Sequence, residues 1–186
     1  MSRPLSDKIK AAVLTVGGSG YAPFASGSWG SLAAVLLFVG AWIGGRKLGL
    51  SPLLFDALVS IPGIGLATIL GILWGPWAIE RWGRKDPKPF VLDEFAGQWI
   101  ALLALPTIAF SSMWGAACVI GGQFFLFRLF DVLKPPPASH IDAHWPGGWG
   151  ITCDDLAAGA YALIVGQLIW RLTPAAAWLG IATSGS

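Results

Sequence analysis

Between Leu53 and Trp74 the chain carries a single charged side chain, Asp56. A run that long and that apolar is satisfied in hydrocarbon only as a helix, because every backbone N–H and C=O must find a partner inside the segment. Leu32–Gly44, Met113–Phe127 and Ile151–Leu172 are further apolar runs, separated by glycine, proline and charge. Over the whole chain 55% of residues are hydrophobic and 12% charged, and the charged share is about half that of a soluble domain. A chain of 186 residues cannot hide that much apolar side chain from water, so lipid is the predicted solvent. The 11 Trp and 10 Phe suit aromatic belts at the two membrane interfaces. A net charge of +2 gives no footing for nucleic acid, and Cys118 and Cys153 fit neither a disulfide framework nor a metal spacing.

The joints between the runs carry the polar chemistry. Leu5, Ile9, Val13 and Val16 recur at helical spacing, predicting a short amphipathic helix within 1–16, on the membrane surface or docked against the protein. Its charges, Arg3, Asp7, Lys8 and Lys10, argue against a signal peptide. Gly17–Ser31 reads as a loop, either a flexible connector or an anion-holding lead into the next helix. Ile61-Pro62-Gly63 should kink the second run. Pro76–Pro89, with Glu80, Arg81, Arg84, Lys85, Asp86 and Lys88, reads as an aqueous loop with at most a short helical start. Asp93 and Glu94 open an apolar run to about Phe110, where first-turn acids complement the helix dipole. That run and the returning Met113–Phe127 are short for about 30 Å of hydrocarbon. They extend into their charged ends or sit inside a bundle.

Arg128, Asp131 and Lys134 recur every third residue, on one helical face, and Pro135 should end that helix at about Lys134. Taken alone, they could be an ion pair at the water boundary. Ala138–Gly150, with His140, Asp142 and His144, reads as loop. Asp154-Asp155 open the last run, and Ala175–Ile181 is too short to cross. LDEFAGQWIALL and CDDLAAGAYALI echo each other as an acidic pair, a small residue and an apolar run; an internal repeat and chance both account for that.

If Gly17–Ser31, Pro76–Glu94 and Arg128–Asp155 share one face, the chain is an all-α polytopic bundle of about five membrane-inserted helices, with a polar site at that interface. It is expected to be one domain over 1–186, with 1–16 an interfacial helix and 173–186 a tail. Arg3, Lys8, Lys10, Arg81, Arg84, Lys85, Lys88, Arg128 and Lys134 fall on the shared face, and Arg46, Lys47 and Arg171 opposite. The positive-inside rule makes the rich face cytoplasmic.

That topology gathers six of the ten acids, Asp93, Glu94, Asp131, Asp142, Asp154 and Asp155. Converging carboxylates repel unless a cation is shared. An oxygen-only donor set points to Mg²⁺ or Mn²⁺ rather than zinc. Arg128 and Lys134 beside them suit a phosphate, so the combination suggests phosphoryl chemistry on a lipid headgroup. A small membrane transporter or channel component is the alternative, since charges at broken helices occur there too.

Gly27-Ser28-Trp29-Gly30-Ser31-Leu32, Asp93-Glu94-Phe95-Ala96-Gly97-Gln98-Trp99-Ile100, the stretch Phe127–Pro135, and Gly147-Gly148-Trp149-Gly150-Ile151 leading to Asp154-Asp155 and Ala158-Gly159 together resemble the membrane phosphatidylglycerophosphatase A family. The resemblance covers about Gly17 to Gly159. It departs at Ser26-Gly27-Ser28 and Pro135-Pro136-Pro137, which touch loop shape rather than the charged core. It implies a Mg²⁺-dependent phosphatase that converts phosphatidylglycerophosphate to phosphatidylglycerol, within phosphatidylglycerol and cardiolipin biosynthesis, at the cytoplasmic face of a bacterial inner membrane. Asp93, Glu94, Asp131, Asp154 and Asp155 are the candidate metal ligands. Asp131, Asp155, Arg128 and Lys134 are the candidate catalytic groups, and Gly18, Ser19, Ser28, Arg128 and Lys134 are candidates for the substrate. Water attack and an aspartyl-phosphate intermediate both remain open. His140 reads as a headgroup-level loop residue and Cys153 as a packing residue.

Overall fold

A computed structural model describes residues 5–110 and 112–180. Arg3 and the last residues of the expected tail lie outside it. Among the described residues the chain is helical throughout, with no strand. The helices are α1 (Leu5–Leu14), α2 (Ser26–Lys47), α3 (Pro52–Phe55), α4 (Ile61–Trp82), α5 (Leu92–Ala101), α6 (Met113–Leu133), α7 (Ala138–His144), α8 (Gly147–Leu172) and α9 (Ala175–Trp178).

Local chemistry sets most boundaries. Ser51 caps α3 by accepting from the Leu54 N–H, with Pro52 in the first helical position. A π-turn over Asp56–Ser60 joins α3 to α4. It lies just before Pro62, whose missing N–H breaks the regular ladder, so Pro52–Trp82 runs as one long helix. Ser112 caps α6 through the Gly115 N–H at 2.9 Å. At the other end of α6, Lys134 turns left-handed (φ 44°) immediately before Pro135, where the sequence places the stop.

Among the described residues three helices are long and apolar enough to cross a membrane: Ser26–Lys47, Pro52–Trp82 and Met113–Leu133. They leave large apolar side chains uncovered, among them Leu36, Leu37, Leu66, Leu73 and Phe125. α8, 26 residues long, packs on α4, α5 and α6. α5 is only 10 residues, about 15 Å, and is buried on most sides. It therefore takes the inside-the-bundle option, as a half-length helix.

Three expectations need correction. The predicted loop Gly17–Ser31 is loop only to Ala25, since α2 begins at Ser26. Gly30 serves contact: a Cβ there would stand 2.5 Å from Val91 Cβ. The predicted loop from Pro76 is helical to Trp82. The Ile72 carbonyl, whose regular donor Pro76 lacks, is covered by Gly148 of α8. Ala138–Gly150 likewise holds α7 and the first turn of α8.

The end of the bundle near Lys47 and Leu172 is an aromatic knot. Phe38, Phe55, Trp42, Trp99 and Phe110 meet at centroid distances between 4.6 and 5.9 Å, and Trp99 Nε1 donates to the Ala34 carbonyl at 2.9 Å. Ala104, at φ 51°, is clamped from both sides. Its N–H donates to Asp56 Oδ2 at 2.9 Å, and its carbonyl accepts from Arg171 and Gln167 at 2.9 Å each.

Candidate metal and phosphate site

At the opposite end the helix termini bring charge together. The pivot is the crossing of α5 and α8. A Cβ on Gly97 would fall 2.5 Å from the Asp155 carbonyl oxygen, and one on Gly159 would fall 2.4 Å from the Gly97 carbonyl oxygen. No side chain fits between these backbones, so both positions must be glycine. Asp93 lies one helical turn before Gly97, and Asp155 one turn before Gly159. The two carboxylates are therefore delivered to the same point. Asp93, Glu94 and Asp155 each present an oxygen within 4.8 Å of the others. The two stretches that echo each other in the sequence are the two sides of this contact.

Asp93 and Asp155 are each 5% exposed. Asp93 Oδ1 accepts from the Glu94 backbone N–H at 2.9 Å. Glu94 Oε2 and Asp154 Oδ1 are buried with no hydrogen-bond partner. Buried like charges without partners are costly, and a hard divalent cation is the counter-charge that an all-oxygen donor set fits.

Around this core, Glu94, Asp131, Asp154, Asp155 and Lys134 line a hollow of about 50 Å³, which also takes in Lys85, Asp86 and Asp142. Arg128 Nη1 bonds Asp131 Oδ2 at 2.6 Å and reaches Ser31 Oγ at 3.5 Å. Lys134 Nζ holds Asp154 Oδ2 at 2.6 Å and Asp142 Oδ2 at 3.2 Å. Burial, the largest single influence, would lower the Lys134 pKa; the hydrogen bonds and charges of Asp154 and Asp142 together outweigh it and displace the pKa upward, so the ammonium is charged at neutral pH.

The first turn of α2 forms the remaining wall. Ala25, left-handed at φ 48°, offers no side-chain cap, so the first N–H groups stay available. A Cβ on Gly27 would lie 2.4 Å from Glu94 Oε1 and 3.0 Å from the Arg128 guanidinium. The chain therefore runs directly over both groups.

The structure thus assembles Asp93, Glu94, Arg128, Asp131, Lys134, Asp154 and Asp155 at one end of the bundle, with Ser28 next to Gly27 in the adjoining turn. Gly18 lines a separate hollow with Lys8 and Arg81, and Ser19 Oγ donates to the Thr15 carbonyl at 3.0 Å. His140 and His144 stack at 4.2 Å on the exposed face of α7. Sequence reading passed over Lys85 and Asp86 as solvated loop charges. The usable signal was position: both lie in the joint that leads into Asp93 and Glu94.

The family described as Phosphatidylglycerophosphatase A matches residues 12–170. A Haemophilus influenzae protein named Phosphatidylglycerophosphatase A is 34% identical over 158 residues, 82% of this chain and 84% of the relative. An Escherichia coli K12 protein of the same name is 35% identical over 148 residues, 79% of this chain and 76% of the relative. A Bacteroides thetaiotaomicron protein, provisionally named a phosphatidylinositol-3-phosphatase, is 33% identical over 148 residues, 80% of this chain and 85% of the relative. No solved structure matches the chain.

Proposed function

Given that the chain belongs to the phosphatidylglycerophosphatase A family, and so is a phosphatase, we propose that it hydrolyses phosphatidylglycerophosphate to phosphatidylglycerol and inorganic phosphate in phospholipid biosynthesis. The observation that carries this reading is the meeting of Asp93, Glu94 and Asp155 within 4.8 Å, beside Arg128 and the open first turn of α2.

In this proposal Asp93, Glu94 and Asp155 hold Mg²⁺, with Mn²⁺ as the substitute, and Asp154 and Asp131 stand at its edge. Bound there, the cation supplies positive charge against the phosphoryl oxygens. Arg128 and the uncapped N–H groups around Ser28 neutralise the same oxygens as charge builds on them. Lys134 fixes Asp154 and adds positive charge at the rim. Water attacks phosphorus in line while the bond to the glycerol oxygen breaks. The water proton passes to Asp131 or Asp155, and the departing alkoxide takes a proton in turn. An aspartyl-phosphate intermediate is the rival route. Single-turnover reaction in heavy-oxygen water decides between them: label in the released phosphate and none in a carboxylate supports direct attack.

The same reading treats 1–186 as one domain. The long helices α2, α3–α4 and α6 cross a bacterial inner membrane, and α8 and the half-length α5 complete about five inserted helices. Lys8, Lys10, Arg81, Arg84, Lys85, Lys88, Arg128 and Lys134 lie at the site end, against Arg46, Lys47 and Arg171 at the other, so the site faces the cytoplasm.

The test is phosphate release by the purified protein from phosphatidylglycerophosphate with Mg²⁺, with a chelator, and with metal restored. Phosphatidylinositol 3-phosphate serves as comparator, because one relative carries that name. Release that needs metal and prefers phosphatidylglycerophosphate is the expected result. Preference for the inositol lipid would reassign the substrate, and no release from either would overturn the phosphatidylglycerophosphate assignment and point to another phosphomonoester.

A further inference from the structure

α1 presents two neighbouring stripes to the rest of the chain. Lys8, Ala11, Ala12 and Thr15 follow one helical row, and Ala12, Val13 and Val16 follow the next. The first row borders a hollow of about 320 Å³ whose polar wall is Asp7, Lys8, Thr15, Tyr21 and Arg81. The second borders a groove of about 510 Å³ lined by apolar side chains of α1, α2 and α5, including Leu36, Leu37 and Phe95. Ala12 and Gly17 line both, so the polar hollow and the apolar groove adjoin across these two small residues.

The charges fit this division. Asp7, the carboxylate in the hollow, is engaged by Trp77 Nε1, which donates to its Oδ1 at 3.2 Å. Among the described residues neither Lys8 nor Arg81 forms an ion pair. This is the reverse of the acidic pocket, where Arg128 and Lys134 are both taken by carboxylates. Gly17 and Gly18 have φ of 68° and 100°, and nothing lies within 4 Å of where their side chains would stand. The chain turns away there and leaves the hollow open. Leu5 and Ile9, 72% and 51% exposed, suit a helix whose outer edge meets lipid.

We propose that this cleft between α1, α2, α4 and α5 binds an intact anionic phospholipid, with its phosphate between Lys8 and Arg81 and an acyl chain along Leu36, Leu37 and Phe95. The site is separate from the acidic pocket and does not depend on the reaction proposed there. Two unpaired cations supply the attraction, and the groove supplies the burial that free phosphate could not use.

The experiment is native mass spectrometry of the full chain released from phosphatidylcholine nanodiscs doped with phosphatidylserine, a diester that is neither substrate nor product of the proposed reaction. The wild type should keep one phosphatidylserine in preference to phosphatidylcholine. Lys8→Gln with Arg81→Gln should cut that preference about tenfold or more. Ala33→Phe, which fills the groove without touching charge, should also release the lipid. Arg84→Gln, at an exposed cation outside the cleft, should change nothing. Far-UV circular dichroism and the thermal midpoint establish that each variant is folded. Equal retention by the double variant and the wild type, or equal loss in Arg84→Gln, overturns the proposal.

Discussion

The two ends of the bundle solve opposite problems with the same helices. At the Lys47 end, Phe38, Phe55 and Trp99 are buried to 6% exposure or less, and the chain reversal at Ala104 has donors and acceptors on both sides of its peptide. At the Lys134 end, three carboxylates lie within 4.8 Å and two buried acidic oxygens have no partner. One end gathers apolar area and ties down its chain reversal, which is what a fold needs. The other accumulates repulsion that a bound cation relieves, which is what a binding site needs. The difference separates residues that hold the molecule together from residues that the molecule holds in place.

Substitutions can test that separation. The largest effect is expected from Asp155→Asn or Asp93→Asn. Phosphate release should fall by about 10³-fold or more, while the metal-free thermal midpoint should hold or rise as repulsion is relieved. A large drop in midpoint would place these acids among the supports. Phe55→Ala should do the converse: a cavity in the aromatic knot costs about 3–5 kcal/mol of stability, with turnover per folded molecule unchanged. A turnover loss that tracks the midpoint would mean that the ends are coupled. Gly27→Ala should lower release by about 10–100-fold. Its Cβ meets the movable ends of Glu94 and Arg128, so the fold should be spared; denaturation curves beside the activity assay read both. The smallest effect is expected from Asp56→Asn, which loses a charged acceptor for the Ala104 N–H and should cost about 1–2 kcal/mol, seen as a modest midpoint shift with release intact.

The same division governs how much could be read from the chain. Helix ends fixed by local chemistry were legible: Pro135 behind Lys134 stops α6 where expected, and the three-residue spacing of Arg128 and Asp131 forms the pair found at 2.6 Å. The acidic residues were legible as a set because each opens or closes an apolar run. What failed was reading glycine and proline as loop. Gly27, Gly30 and Gly148 sit inside helices because a neighbouring element occupies the space of a side chain, and tertiary contact leaves no local mark. Pro76 sits inside α4 for the same reason. The length of α5 was equally hidden, since hydropathy runs on through Leu102–Phe110 while the backbone turns at Ala104.

The acidic hollow is small, about 50 Å³, and that has a bearing on how such a protein lives among its own substrates' cousins. The surrounding bilayer is a dense field of phosphodiesters, each a potential mistake. A terminal monoester offers such a chamber an unsubstituted tip, whereas a diester would have to bring a second substituent past Lys134. On the proposed function, restraint toward the host membrane would draw on that small volume, and the choice among monoester lipids would fall to whatever lies beyond the rim.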